Sequence, residues 1–234
     1  MKQQTNENTE YNGLDELLNT EVMKNYNSFI VSMAMKYAPE AKIAVDFGAG
    51  IGTMSQIFKV KFFIKPICIE IDNTNKGYLK KRGFKTYDSF PSDAKFDLVF
   101  SSNVLEHIKD DLSVLLDMKN QLSVDGKIFL YLPAKMILWS AMDEKVGHYR
   151  RYEYSELKLK CEQIGLKIEK LHFSDSLGFF ASFLMKILGY NKEGGIGSVS
   201  SLRFYDKFIL PFSILLDNLG FKYLFGKNLV LVAS

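Results

Sequence analysis

The spacing of hydrophobic positions changes along the chain. From Leu14, apolar residues Leu17, Leu18, Val22, Met23, Tyr26, Phe29, Ile30 and Met33 recur at intervals of three and four, which predicts an amphipathic helix packed on a core by one face. Beyond Ile43 the period shortens. The apolar runs IAVDF, PICIEI, FKTY, FDLVFSS and KIFLYLP alternate with helical stretches and are bounded by charged or turn residues. Strands that alternate with helices predict a parallel sheet. Ser155 is expected to cap a helix with Leu157, Cys161 and Ile164 on one face and Gly165 at its end, followed by a strand in LKIEKLHF. NLVLVA, at 228–233, predicts a closing antiparallel strand.

Two stretches depart from this alternation. Residues 133–152 lose periodicity and are dense in aromatic and charged side chains, which predicts a long functional loop. Between 174 and 227, apolar helical stretches at 179–188 and 205–219 are joined by the Gly- and Ser-rich NKEGGIGSVSS. The expected organisation is a helical lead-in (1–38), a sheet-and-helix core (39–173), a helical cap or insertion (174–227) and a closing strand (228–234). Core packing is the expected role of the apolar stretches in the insertion. A lid, a dimer surface and a groove for an acyl or polyprenyl chain remain open alternatives.

Composition narrows the class. With 234 residues, 47% hydrophobic, 24% charged and a net charge of +3, the chain is neither disordered nor a general polyanion binder, and no nucleic-acid partner is expected. Cys68 and Cys161 fall in predicted regular elements and read as small buried hydrophobes, which suits a reducing cytoplasm. The polar start lacks the apolar centre of a secretion signal and the stretch 177–188 is short and carries Lys186, so no membrane-spanning segment is expected. Lys186, Lys207, Lys222 and Lys227 beside apolar helices leave peripheral membrane contact open.

Candidate chemistry begins at VDFGAGIG, where a strand ends at Asp46 and Phe47 and runs into Gly48, Gly50 and Gly52. Glycines there permit a tight turn and close approach of a ligand to backbone. The third glycine follows the second by two positions rather than three, which favours an adenosyl ligand without a pyrophosphate. An acid closing the next strand should meet the ribose hydroxyls; Glu70 fits, with Asp72 as competitor. Asp88, after the third strand, is placed to receive an adenine amino group.

VDFGAGIG, ICIEID, FDLVFSSNVLEHIKDD and GKIFLYLPA together resemble the successive motifs of class I S-adenosylmethionine-dependent methyltransferases, over roughly residues 25–173. The run LPAKMILWSAMDEKVGHYRRYEYSEL resembles a bacterial and archaeal branch of that superfamily. The resemblance implies an α/β, three-layer Rossmann-like fold with a mostly parallel seven-stranded sheet, an antiparallel last strand and a helical insertion before it. It implies S-adenosylmethionine as cofactor and S-adenosylhomocysteine as product. Gly48, Gly50 and Gly52 would face the methionyl portion, with Asp46 and Ala49 beside them. Glu70 would meet the ribose next to Ile71, Asp88 and Ser89 the adenine, and Ser102 and Asn103 the sulfonium. Some relatives hold a divalent cation through two glutamates and a histidine; Asn103 stands where the first glutamate would be, so no metal is expected.

Methyl transfer to a hydroxyl needs a base, and the candidates are His148 and His107, with His172 the third histidine of the chain. Tyr149 and Arg150 complete the catalytic set. Arg150 and Arg151 are suited to clamp phosphate or carboxylate, with a structural ion pair to Asp143, Glu144 or Glu153 as the open alternative, and Trp139 and Tyr149 to wall an acceptor pocket. The leading expectation is O-methylation of a small-molecule, glycan or lipid-linked acceptor by a monomer or homodimer. The alternatives are a quinone-like or aromatic acceptor, and a non-catalytic subunit that binds the cofactor or a partner.

Overall fold

The computed structural model describes residues 13–188 and 198–234. The first twelve residues of the polar lead-in and the glycine-rich connection at 189–197 lie outside the described residues. The elements run α1 (Leu14–Thr20), α2 (Lys24–Tyr37), β1 (Ala44–Phe47), α3 (Thr53–Lys61), β2 (Ile67–Ile69), α4 (Asn73–Lys81), β3 (Thr86–Tyr87) and β4 (Phe96–Ser102). They continue with α5 (Asp111–Asn120), β5 (Leu122–Pro133), α6 (Ala141–Lys145), α7 (Tyr154–Gln163), β6 (Ile168–Ser174), α8 (Ser176–Leu188), α9 (Val199–Phe204), α10 (Leu210–Asn218) and β7 (Asn228–Ala233).

All seven strands form one sheet in the order β3-β2-β1-β4-β5-β7-β6. Neighbours are parallel except β7, which runs antiparallel to both β5 and β6. This is the expected Rossmann-like arrangement, closed by the NLVLVA strand. The winding reverses between β1 and β4, and ligands of open α/β sheets collect beyond the carboxyl ends of strands at such a reversal.

Alternation along the central strands divides the core. Val99, Ile128, Leu130 and Leu231 face Leu115 and Met118 of α5 and Leu157 and Cys161 of α7. Leu98, Phe100, Phe129 and Val230 face Ile30, Val31 and Ala34 of α2 and Phe58 of α3. Both cysteines are buried and unpaired, as expected. Helices therefore cover both faces of the sheet, and buried apolar area is the principal term holding the layers together.

Three local expectations are corrected. The period running from Leu14 does not make one helix: the chain breaks at 21–23, because Asp206 accepts the amides of Asn25 (3.1 Å) and Tyr26 (2.7 Å) and starts α2 afresh. That cap comes from a residue 180 positions away, so local periodicity cannot report it. Glu153, not Ser155, is the N-cap of α7. Residues 133–152 are not an open loop; α6 sits in it behind a capping box formed by Ser140 and Asp143.

Phe100 is fully buried, stacks on Phe129 with centroids 5.6 Å apart and meets Phe58 edge-on at 5.1 Å. Phe100→Ala is expected to cost about 3–5 kcal/mol of stability, read from urea unfolding midpoints.

Candidate active site

The strand register collects the sequence candidates on one edge of the sheet. Phe47 pairs with Ile69, Ile69 with Tyr87 and Ser102 with Tyr131. The segments after β1, β2, β3, β4 and β5 consequently emerge side by side. They carry Gly48–Gly52, Glu70–Asp72, Asp88–Ser89, Asn103–His107 and the 133–152 segment.

Gly48, Gly50 and Gly52 all have positive φ, at 72°, 53° and 86°. At Gly48 the space is also closed: a Cβ there would lie 2.5 Å from a Val104 methyl. The amides of Gly48 and Ala49 both donate to the carbonyl of Ile69, which ties the turn to the end of β2. Above the loop, Leu17 of α1 comes within 3.3 Å of where a Gly50 Cβ would be. Helix α1 is held there by Lys145 to Glu16 (2.7 Å) and Arg82 to Glu21 (2.8 Å).

Glu70 is buried and accepts the amides of Gly50 (2.7 Å) and Asp72 (2.9 Å), one on each carboxylate oxygen. Burial raises its pKa and the two amides oppose that. Each oxygen keeps a further acceptor direction for a hydroxyl. Asp72 caps α4 by accepting the amide of Asn75 at 2.8 Å. Ile71 between them is 68% exposed, an apolar surface beside the cleft. Asp46 accepts the Ser55 hydroxyl at 2.6 Å, and burial pushes its carboxyl up to about 7. Asp46 therefore braces the loop from beneath. Asp88 and Ser89 are exposed at the far end of the cleft, with Asp88 paired to Lys76 at 2.7 Å. Bare backbone over the first turn, a buried carboxylate at the second strand end and polar groups at the third fit an adenosyl group.

On the other side of Val104 lies a cluster of ionisable groups. A 3-10 turn, Leu105–His107, follows β4 and places Glu106 beneath the 133–152 segment, where its carbonyl accepts the amide of Tyr149 at 2.8 Å. Asp143 accepts from His148 Nδ1 (2.9 Å) and from Arg151 Nε (2.8 Å) and Nη2 (3.1 Å). The rings of His107 and His148 meet edge-to-face with centroids 4.5 Å apart. His148 Nε2 is 3.8 Å from Glu106 Oε1, and neither Glu106 oxygen has a hydrogen-bond partner among the described residues. The sequence thus names both histidines, and the fold adds Glu106 and Asp143.

Environment drives the acids apart. Burial alone would raise Asp143, yet the His148 hydrogen bond and the Arg151 charge hold it at about 2, so it is ionised. Burial lifts Glu106 to about 8, with Asp143 reinforcing the rise and Arg151 opposing it, so it stays protonated at neutral pH. Burial, with the neighbouring His148, lowers His107 to about 4. Because Asp143 is an acceptor only, Nδ1 of His148 donates to it, and Nε2 is the ring nitrogen turned towards Glu106. Glu106, His107 and His148 bring ligand atoms within 4.8 Å of one another. A cation there would have to displace the Glu106 proton and sit near the Arg151 charge.

The other candidates are placed as follows. The expected guanidinium clamp does not form: Arg151 is buried on Asp143, and Arg150 pairs with Asp111 at 2.8 Å and donates to the Lys109 carbonyl at 2.7 Å. Tyr149 is exposed, and Trp139 Nε1 donates to Glu144 at 3.3 Å. Ser102 accepts from Asn103 Nδ2 at 3.2 Å, and Asn103 itself stands at a positive φ of 53°. His172 lies on β6 with Tyr37 and is not part of the cluster.

A family model described as a methyltransferase domain matches residues 20–171. No curated protein matches the chain. Among solved structures it is similar to an S-adenosylmethionine-dependent methyltransferase from Archaeoglobus fulgidus, with 16% identity, 88% of this chain and 93% of that chain covered, and a TM-score of 0.55. A Thermotoga maritima S-adenosylmethionine-dependent methyltransferase gives 16% identity, 94% of both chains and 0.58. The O-methyltransferase of a Brevibacillus brevis trans-AT polyketide synthase, solved with S-adenosylhomocysteine, gives 16% identity, 89% of this chain, 71% of that chain and 0.54. At such identities the solved structures establish the fold.

Gly48→Ala is expected to weaken S-adenosylhomocysteine binding at least tenfold in isothermal titration, and adding Val104→Ala should recover part of that loss. Glu106 gives a pH signature. Its folded pKa lies above the unfolded value, so the fold holds a proton that the unfolded chain releases, and stability falls as pH rises from about 4.5 to about 8. His107 has the opposite shift, and its contribution is lost as pH falls from about 6.5 to about 4. Urea midpoints of Glu106→Gln at pH 5, 6.5 and 8 should gain on the native chain as pH rises, by at most about 1.4 kcal/mol per pH unit. Parallel pH curves would show that Glu106 is already ionised in the fold.

Proposed function

The chain belongs to the methyltransferase-domain family and is an S-adenosylmethionine-dependent methyltransferase; from that premise we propose that it methylates a hydroxyl oxygen on a small-molecule, glycan or lipid-linked acceptor. The observation that carries this reading is the ionised Asp143 bonded to Nδ1 of His148 beside the turn that packs on Gly48. A thiolate is nucleophilic without such a pair, whereas an alcohol gains from a base that removes its proton as the bond to carbon forms.

When bound, S-adenosylmethionine supplies a methyl group on an electrophilic sulfonium. Gly48, Gly50 and Gly52 line its methionyl portion, with Asp46 and Ala49 shaping the loop; Glu70 and Ile71 receive the ribose, Asp88 and Ser89 the adenine, and Ser102 and Asn103 border the reacting centre. Alignment at near-attack distance carries much of the rate. His148 Nε2 takes the acceptor proton, and Asp143 stabilises the imidazolium. Tyr149 lines the acceptor side, Arg150 positions that segment through Asp111, and the neutral His107 fixes the His148 ring from its edge. The same reading takes residues 39–173 and 228–234 as the core, 1–38 as a lead-in and 174–227 as an appended cap, in a cytoplasmic enzyme.

The test is transfer of labelled methyl from S-adenosylmethionine into glycan and lipid extracts by the native chain, His148→Ala and Glu70→Ala. His148→Ala should lower kcat by about 10²–10⁴ with S-adenosylhomocysteine affinity unchanged. Glu70→Ala should weaken cofactor binding itself. Full turnover by His148→Ala removes it as base. Cofactor binding without methylation of any extract would favour a non-catalytic subunit, and label confined to quinones or other aromatic metabolites would identify that acceptor class instead.

A further inference from the structure

Among the described residues, exposed large hydrophobic side chains are concentrated on the segment between β6 and β7. The helical run 199–218, α9 and α10 joined by a π turn at Tyr205–Ile209, carries two stripes. Leu202, Asp206, Leu210, Ser213 and Asp217 are buried. Phe204, Phe208, Phe212, Leu215 and Leu219, offset by two residues and so on the opposite side, are 48–70% exposed. The usual distribution is inverted, because the inward stripe contains two carboxylates and a hydroxyl while the outward stripe is wholly apolar.

The inward polarity has a structural cause. Asp206 caps α2. Asp217 accepts the amides of Asp175 (2.8 Å) and Ser176 (3.3 Å) at the start of α8. Ser213 accepts the Leu177 amide at 3.0 Å and donates to Asp175 at 2.9 Å. The outward stripe has no comparable task within the fold. Beside it, α8 exposes Phe180, Leu184 and Ile187, and the turn after α10 exposes Tyr223 and Leu224. A contiguous run of exposed aromatic and aliphatic side chains of this kind marks an interaction surface.

Charge decides the partner. Among the described residues of 176–227 the basic side chains outside the interior are Lys186, Arg203, Lys207 and Lys222, Lys227 being enclosed, and the only acids, Asp206 and Asp217, are buried. Lys207 Nζ lies over the Phe208 ring at 5.2 Å and Lys222 Nζ over the Tyr223 ring at 5.4 Å, so two ammonium groups sit on the aromatic surface itself. A two-fold contact between copies of this face would set these like charges against each other. No helix among the described residues is long and apolar enough to cross a membrane. We propose that the outward face of 199–224, with the adjoining side of α8, docks on the surface of an anionic lipid bilayer, its aromatic stripe entering the interfacial region and its lysines and Arg203 meeting headgroup phosphates. The proposal is independent of the acceptor, since a soluble substrate would leave it unchanged.

The experiment is co-sedimentation of the full chain with vesicles of phosphatidylcholine alone and with 30% phosphatidylglycerol, at 0.1 and 0.5 M salt. Binding to the anionic vesicles alone, reduced at high salt, is expected. Arg203→Glu with Lys207→Glu should lower the bound fraction at least tenfold. Phe208→Ser with Phe212→Ser should do the same with little change in the unfolding midpoint, because the two residues are 48% and 63% exposed. Phe212→Trp, which keeps the stripe apolar, should shift its emission to the blue on vesicle addition. A chain that stays in the supernatant with both vesicle types overturns the proposal. So does vesicle binding indifferent to all of these substitutions, or a dimer in light scattering that Phe212→Ser dissociates, which would give the face to a second copy.

Discussion

The active-site edge is organised around the contact between Gly48 and Val104. β1 and β4 are adjacent, with Asp46 opposite Phe100, so the loop that leaves one and the turn that leaves the other compete for the same space. The competition is resolved by having no side chain at Gly48 and a branched one at Val104, which fills the gap. Close packing of this kind fixes relative position to within a few tenths of an ångström. The turn carrying Glu106 and His107 is thereby registered against the glycine loop, and the 147–150 segment follows because the Tyr149 amide is bonded to Glu106. The cofactor side and the acceptor side are two ends of one packed contact.

Electrostatics on the acceptor side follow from the same burial. A carboxylate as enclosed as Asp143 is stable only with partners that compensate its lost hydration. Arg151 supplies a fork of two hydrogen bonds and His148 a third. Glu106, with no such partners, stays neutral instead, and His107 does too. One ionised acid, one arginine and two neutral groups, Glu106 and His107, surround the His148 ring, whose Nδ1 is bonded to Asp143. Arg151 is therefore structural before it is anything else, and the arginine pair in the HYRRY run serves Asp143 and Asp111 rather than a ligand.

Much of this was legible in the sequence because it rests on local rules. The strand runs, the glycine triplet, Glu70 at the end of β2 and the antiparallel last strand all depend on period, on turn chemistry or on a carboxylate at a strand end. What was not legible depends on partners distant in the chain. The break between α1 and α2 is imposed by Asp206, and the helix in 133–152 is anchored by the Arg151 and His148 bonds to Asp143. Ser140 with Asp143 three positions later was a readable signal, since that spacing is a capping box. An ion pair of Arg151 with Asp143 was one of the alternatives open in the sequence, whereas Asp111 lies 39 positions before Arg150 and only the fold pairs those two.

The appended helices show how a polar stripe can become the inner one. Hydrophobic burial would by itself turn Phe204, Phe208 and Phe212 inward, at about 25 cal/mol per Å² of apolar area removed from water. The opposing gain is the satisfaction of backbone amides at the starts of α2 and α8, each of which would otherwise lack a partner. An unsatisfied buried amide costs about 1–3 kcal/mol, and Asp206 and Asp217 between them serve four. The same two residues fix the rotation of the helical run, because they sit eleven positions apart, close to three full turns, on the same stripe. Once both are seated the phenylalanines have nowhere to face but outward. The exposed aromatic face is thus a consequence of how the segment is anchored, and its substitution should leave the anchoring, and with it the fold, in place.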